Sequence, residues 1–88
     1  SKPIHGRLSD SWRQNMRKRL YKTEKRCRWC QVQFDEPMSY SEPRGWPTWV
    51  AGMLFPTLDH IVPLGEGGTN QRSNICLACE KCNDARNN

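Results

Sequence analysis

The 88-residue chain carries 14 Lys and Arg against 9 Asp and Glu, a formal net charge of +5, and only 35% of its residues are hydrophobic. A chain of this size forms one domain and buries about 60–65% of the surface its unfolded form exposes. A large core is thereby excluded within these 88 residues, and a disulfide or metal staple is expected. No apolar run is long enough to span a membrane and no secretory signal is recognisable, while the basic balance suits a nucleic-acid partner.

Residues 1–8, with Pro3 and Gly6, read as an irregular lead-in, and His5 has no motif around it. Ser9 or Asp10 caps a helix predicted over residues 11–23, with Trp12, Met16 and Leu20 at i, i+4 and i+8 facing the core. The remaining surface of that helix is basic. Arg13 and Arg17 on it, with Arg26 and Arg28 just beyond, are candidates for phosphate contacts; a merely solvated charged face is the alternative.

Cys27-Arg28-Trp29-Cys30 makes a tight knuckle, and Val32 and Phe34 alternate with Gln31 and Gln33 as in a short strand. Residues 35–48 are rich in turn signals (Asp35-Glu36-Pro37, Ser41-Glu42-Pro43, Gly45-Trp46-Pro47) and read as a loop or insertion. Trp46 and Trp49 either stack on a base or cover the core. A strand carries Leu58 to Val62, a loop with Gly65, Gly67 and Gly68 spans residues 63–72, a second strand covers Ile75 to Ala78, and a final helix runs from Cys79 to Asn88.

Five cysteines are an odd number for disulfides. Two C-x-x-C pairs are the spacing that presents two sulfurs each to one tetrahedral zinc ion. The second pair has two registers, Cys76 with Cys79 or Cys79 with Cys82. Reduced thiolates imply an intracellular, reducing compartment.

The string Leu58-Asp59-His60-Ile61-Val62-Pro63-Leu64, then Gly67-Gly68, Asn74 and Cys79-Glu80-Lys81-Cys82-Asn83, resembles the HNH endonucleases of the His-Me finger group. The parts stand in order: Asn74 lies 14 residues after His60, and Asn83 follows 9 residues later beside Cys82. The resemblance covers about residues 27–87. It implies a small, metal-stabilised α+β fold: a ββα-metal core with a treble-clef-like four-cysteine zinc site, preceded by a basic helix. Residues 1–26 would form the N-terminal segment and helix, and 27–88 the nuclease domain, in one compact body.

The resemblance also implies roles. His60 is the general base that activates water, its ordinary pKa near 6.5 suiting neutral pH. Asp59 and Asn83 are ligands of one divalent ion, Mg²⁺ or Mn²⁺, with Asn87 as a further ligand from the same helix face. Asn74 is the amide that fixes the base-bearing strand. The Asn74 and Asn83 spacings select Cys27, Cys30, Cys79 and Cys82 as zinc ligands and leave Cys76 as a small core residue. The implied activity is hydrolysis of DNA phosphodiesters, in double-stranded DNA, leaving 5′-phosphate and 3′-hydroxyl ends. A homodimer or partner domains would serve double-strand cleavage, and a bacterial or phage cytoplasm is the expected setting. The alternative is a non-catalytic zinc module that binds DNA or protein.

Overall fold

The computed structural model describes residues 9–86. Helix α1 (Asp10–Tyr21) starts where Ser9, in an extended conformation, turns its Oγ onto the amide of Trp12 at 3.1 Å. That bond satisfies one of the amides a helix start leaves without a partner. The helix buries Met16, Leu20 and Tyr21, with Trp12 half-buried at the rim of the core. It stops earlier than residue 23: the last turn tightens, the Thr23 amide taking the Leu20 carbonyl three residues back at 3.1 Å and sharing it with the Glu24 amide at 2.8 Å.

The knuckle at Cys27 turns back on itself. Gln31 takes a positive φ of 66° and donates to the Cys27 carbonyl at 3.0 Å, while the Cys27 amide reaches Val32 at 2.8 Å. Val32 to Phe34 therefore folds back onto Lys25 to Cys27. The strand expected there is reduced to a single bridge between Arg26 and Gln33. The turn-rich segment that follows is not all loop. It forms an antiparallel hairpin of β1 (Ser39–Ser41) and β2 (Trp46–Thr48), with Tyr40 opposite Pro47.

Strands β3 (Pro56–His60) and β4 (Ile75–Cys79) pair antiparallel along their whole length, from Pro56 opposite Cys79 to His60 opposite Ile75. β3 begins and ends two residues before the expected span. Ile61 and Val62 leave the ladder towards Asn74: the Ile61 amide donates to the Asn74 carbonyl at 2.9 Å, and the Val62 amide to the Asn74 side chain at 2.8 Å.

All five residues of β4 are buried. Its outer edge is covered rather than left open, with the Leu77 amide donating to Glu24 Oε1 and the Leu77 carbonyl accepting from the Arg28 amide. A covered edge leaves no row of buried backbone groups without partners. Helix α2 (Glu80–Arg86) follows β4 directly, giving a strand, strand, helix unit. Met16, Leu20 and Tyr21 of α1 share one core with Cys27, Phe34, Ile75, Leu77, Ala78 and Cys79.

The loop between the strands is built tightly. Gly67 closes a 3₁₀ turn at Leu64–Glu66 with a φ of 93°, a region open to Gly at little cost. Gly68 presses against the Val62 carbonyl, where any Cβ would collide with backbone.

Candidate metal centre and the His60 strand

The β3–β4 ladder carries one cluster of chemical groups at each end. At the Pro56–Cys79 end, the sulfurs of Cys27, Cys30, Cys79 and Cys82 all lie within 4.8 Å of one another. Cys30 and Cys79 approach to 3.8 Å. The knuckle supplies the first pair, and the junction of β4 with α2 supplies the second. Cys27 Sγ accepts from the amides of Trp29 and Cys30 at 3.4 and 3.5 Å. Burial works to raise the Cys27 thiol, but backbone donors at Cys30, Cys79 and Trp29 outweigh it and bring its pKa down to about 6. Cys79 and Cys82 go the other way, raised by burial and by the neighbouring sulfurs, Cys82 to about 12, so the convergence of the four sulfurs, and not their acidity, is what marks the cluster. The four-cysteine cluster could hold a structural metal ion.

Cys76 lies outside that cluster, opposite Asp59 in the ladder and buried. Burial first, then the Asp59 charge, pushes its thiol up to about 12. Such a cysteine packs as a small neutral side chain. It is Cys79 and Cys82, and not Cys76, whose sulfurs meet those of Cys27 and Cys30.

At the opposite end stands His60, half-buried at the last position of β3. Its Nε2 lies 2.7 Å from Asn70 Oδ1. Asn74 spans the loop with three bonds: its Oδ1 accepts from the Val62 amide at 2.8 Å, and its Nδ2 donates to the carbonyls of Val62 and Thr69 at 3.0 and 2.8 Å. One side-chain amide, able to donate and accept at once, thereby ties both sides of the loop that follows His60.

Asp59 is 1% exposed. Its Oδ1 accepts from the His60 amide at 2.8 Å, and its Oδ2 accepts from Trp29 Nε1 at 2.8 Å and from Arg86 Nε at 2.9 Å. Arg86 is held on further sides. Its Nη2 donates to the carbonyls of His60 and Ile61 at 2.9 and 3.2 Å, and its guanidinium lies 3.8 Å over the Trp29 ring. Asn83, one turn earlier on α2, donates from Nδ2 to Thr57 Oγ1 and the Leu58 carbonyl at 2.9 and 2.8 Å. The expected ligand pair thus flanks the same stretch of β3, but each residue is engaged with its own partners. Asn87, the further expected ligand, lies outside the described residues.

Three contributors escape sequence reasoning. Trp29 sits inside a C-x-x-C knuckle, where the cysteines take the attention. Arg86 carries a usable signal, because three residues after Asn83 is the same helix face. Asn70 carries none, since Thr69-Asn70-Gln71 reads only as loop.

The basic residues divide. Arg13, Arg26 and Arg28 are exposed, Arg26 reaching back to the Gln31 carbonyl and the Gln33 side chain. Arg17 is turned inward: its two terminal nitrogens donate to the Pro56 carbonyl and Gln14, and its Nε is buried without a partner. Of the loop tryptophans, Trp46 donates to Asn15 and Trp49 to the Asp35 carbonyl, and the Trp49 ring meets Tyr21 edge-on at 5.3 Å. They pack against the fold.

Residues 53–88 match the family described as HNH endonuclease. The match spans β3, the loop, β4 and α2, and excludes the Cys27–Cys30 knuckle. No curated protein and no solved structure matches the chain.

Proposed function

We propose, with the HNH endonuclease match over residues 53–88 as premise, that the chain is a metal-dependent endonuclease that hydrolyses DNA phosphodiester bonds. The observation that carries this reading is the half-exposed His60 at the end of β3, paired with Asn70 and followed by a loop that Asn74 ties in place. With Asn70 Oδ1 accepting, His60 Nε2 carries the proton and Nδ1 is left to take one from water. The water then attacks phosphorus in line with the leaving 3′ oxygen. Asn74 keeps the residues after His60 from drifting, which holds the imidazole at a constant distance from the attacked phosphate.

The donor types of Asp59 and Asn83, a carboxylate and an amide oxygen, fit a hard ion such as Mg²⁺ or Mn²⁺. Bound there, the ion would supply charge stabilisation to the phosphate. Zinc is the reading for the four-cysteine cluster, which matches a tetrahedral thiolate site in donor type and number. Of the four arginines expected to contact phosphate, Arg13, Arg26 and Arg28 are exposed and free to meet the backbone of a duplex.

Plasmid nicking with Mg²⁺ or Mn²⁺ tests the proposal. The native chain should cut, and His60→Ala should lose roughly 10²–10⁴-fold in rate with its melting temperature unchanged. A His60→Ala chain that cuts as fast as the native one refutes the catalytic reading. One observation favours a second reading, a non-catalytic zinc module for DNA or protein: the Asp59 carboxylate already carries a cation, Arg86.

A further inference from the structure

The Asp59–Arg86 pair is built, not incidental. The Asp59 side chain is wholly buried, whereas Arg86 is 28% exposed. The guanidinium is fixed by the carboxylate, by two carbonyls of the base-bearing segment and by the face of Trp29. Buried charges are ordinarily paired, and Arg86, 2.9 Å from Oδ2, is the cation paired with Asp59. The same carboxylate is the only acidic donor of the proposed divalent site.

We propose that Arg86 and a divalent cation are alternative occupants of Asp59, Arg86 being an internal competitor that must leave before a hard ion binds. The inference rests on the reading of Asp59 as a ligand. Access supports it, because Asp59 is sealed and Arg86 is its partly exposed partner. Charge supports it too: a guanidinium and a divalent ion on one buried carboxylate repel each other in a medium that screens poorly.

Exchange is mechanically simple. Arg86 is the last residue of α2 and can move by rotating its own side chain. Asp59 then keeps Trp29 Nε1 and the His60 amide as donors, so the carboxylate stays aimed while its cation changes. Asn83 holds its place through Nδ2, which leaves its Oδ1 as the atom to offer the arriving ion.

The test is Mn²⁺ binding to the metal-loaded full chain, read as loss of the free Mn²⁺ electron paramagnetic resonance signal without nucleic acid. Arg86→Gln, which removes the charge, should bind Mn²⁺ at least about tenfold tighter than the native chain, a gain of about 1.4 kcal/mol. Arg86→Lys should stay close to native. Asp59→Asn should abolish binding in both backgrounds.

Arg86→Gln binding no tighter than native overturns the competition and leaves the ligand reading standing. Mn²⁺ binding that survives Asp59→Asn, or no binding in any variant, overturns the ligand reading as well. A second measurement covers an Arg86→Gln chain that does not fold: Mg²⁺ titration of the native chain, followed on the Arg86 Nε–H resonance. That resonance should move as Mg²⁺ saturates, and a fixed resonance at saturation overturns the proposal.

Discussion

The two ends of the β3–β4 ladder are held by different kinds of force. At the Pro56–Cys79 end, four sulfurs within 4.8 Å converge on one point from two chain segments far apart in sequence. At the His60–Ile75 end, order comes from neutral amides and one ion pair: Asn70 on His60, Asn74 across the loop, Arg86 on Asp59. The first arrangement could be closed by one metal ion, which is indifferent to which thiolate sits where around it. The second is directional, so each member has a single geometry it can satisfy. A fold with a small core can anchor one end cheaply through a metal and leave the other to be shaped for chemistry.

The largest expected effect sharpens that contrast. Removing the metal from the cysteine cluster should abolish the cooperative melt, since structural zinc contributes on the order of 10 kcal/mol in small domains. Thermal melting with a strong chelator, followed by zinc add-back, checks it. Retention of a cooperative melt after complete metal removal would break the comparison, because both ends would then be held by ordinary packing.

Asn74→Ala should be milder in stability and sharper in rate. It removes three hydrogen bonds from the loop after His60 and leaves the cysteine end untouched. A destabilisation of about 0.5–1.5 kcal/mol is expected, because the groups that lose Asn74 are exposed and water can take its place. Because the loop is fixed to the strand that carries His60, the proposed base, cleavage should fall while zinc content and Mn²⁺ affinity stay native. Equal losses in rate and in Mn²⁺ affinity would show that Asn74 supports the metal side instead.

The same contrast explains what the sequence reveals. The cysteine end is legible because metal-ligand spacing is written in the sequence: Cys27-x-x-Cys30 stands out directly, and the resemblance to the HNH family favours Cys79 with Cys82 over Cys76 with Cys79, the pairing whose sulfurs meet. The helix start at Ser9 is legible because a cap is a local bond. The His60 end is only half legible. His60 and Asn74 stand out by residue type and interval, but Asn70 and Arg86 act through contacts that depend on how the loop and α2 lie in space.

The β1–β2 hairpin is hidden for a related reason. Its strands are three residues each, with Pro47 inside one and Pro43 and Gly45 between them, so no alternation develops. At Val32 to Phe34 the alternation is real, but the left-handed Gln31 limits its pairing to one bridge.

The smallest effect separates the two ends most finely, because Cys76 and Cys79 lie on one strand, three residues apart. Cys76 is the ladder partner of Asp59, and Cys79 belongs to the cluster. Cys76→Ala should therefore cost about 1 kcal/mol, the ordinary loss for trimming one buried side chain, and keep one bound zinc per chain. Cys79→Ala should lose the zinc and the melt together. Native-state mass spectrometry gives the zinc count, and a thermal melt gives the stability. A Cys76→Ala chain that lost its zinc would move the metal along β4 towards Asp59 and merge the two ends into a single site.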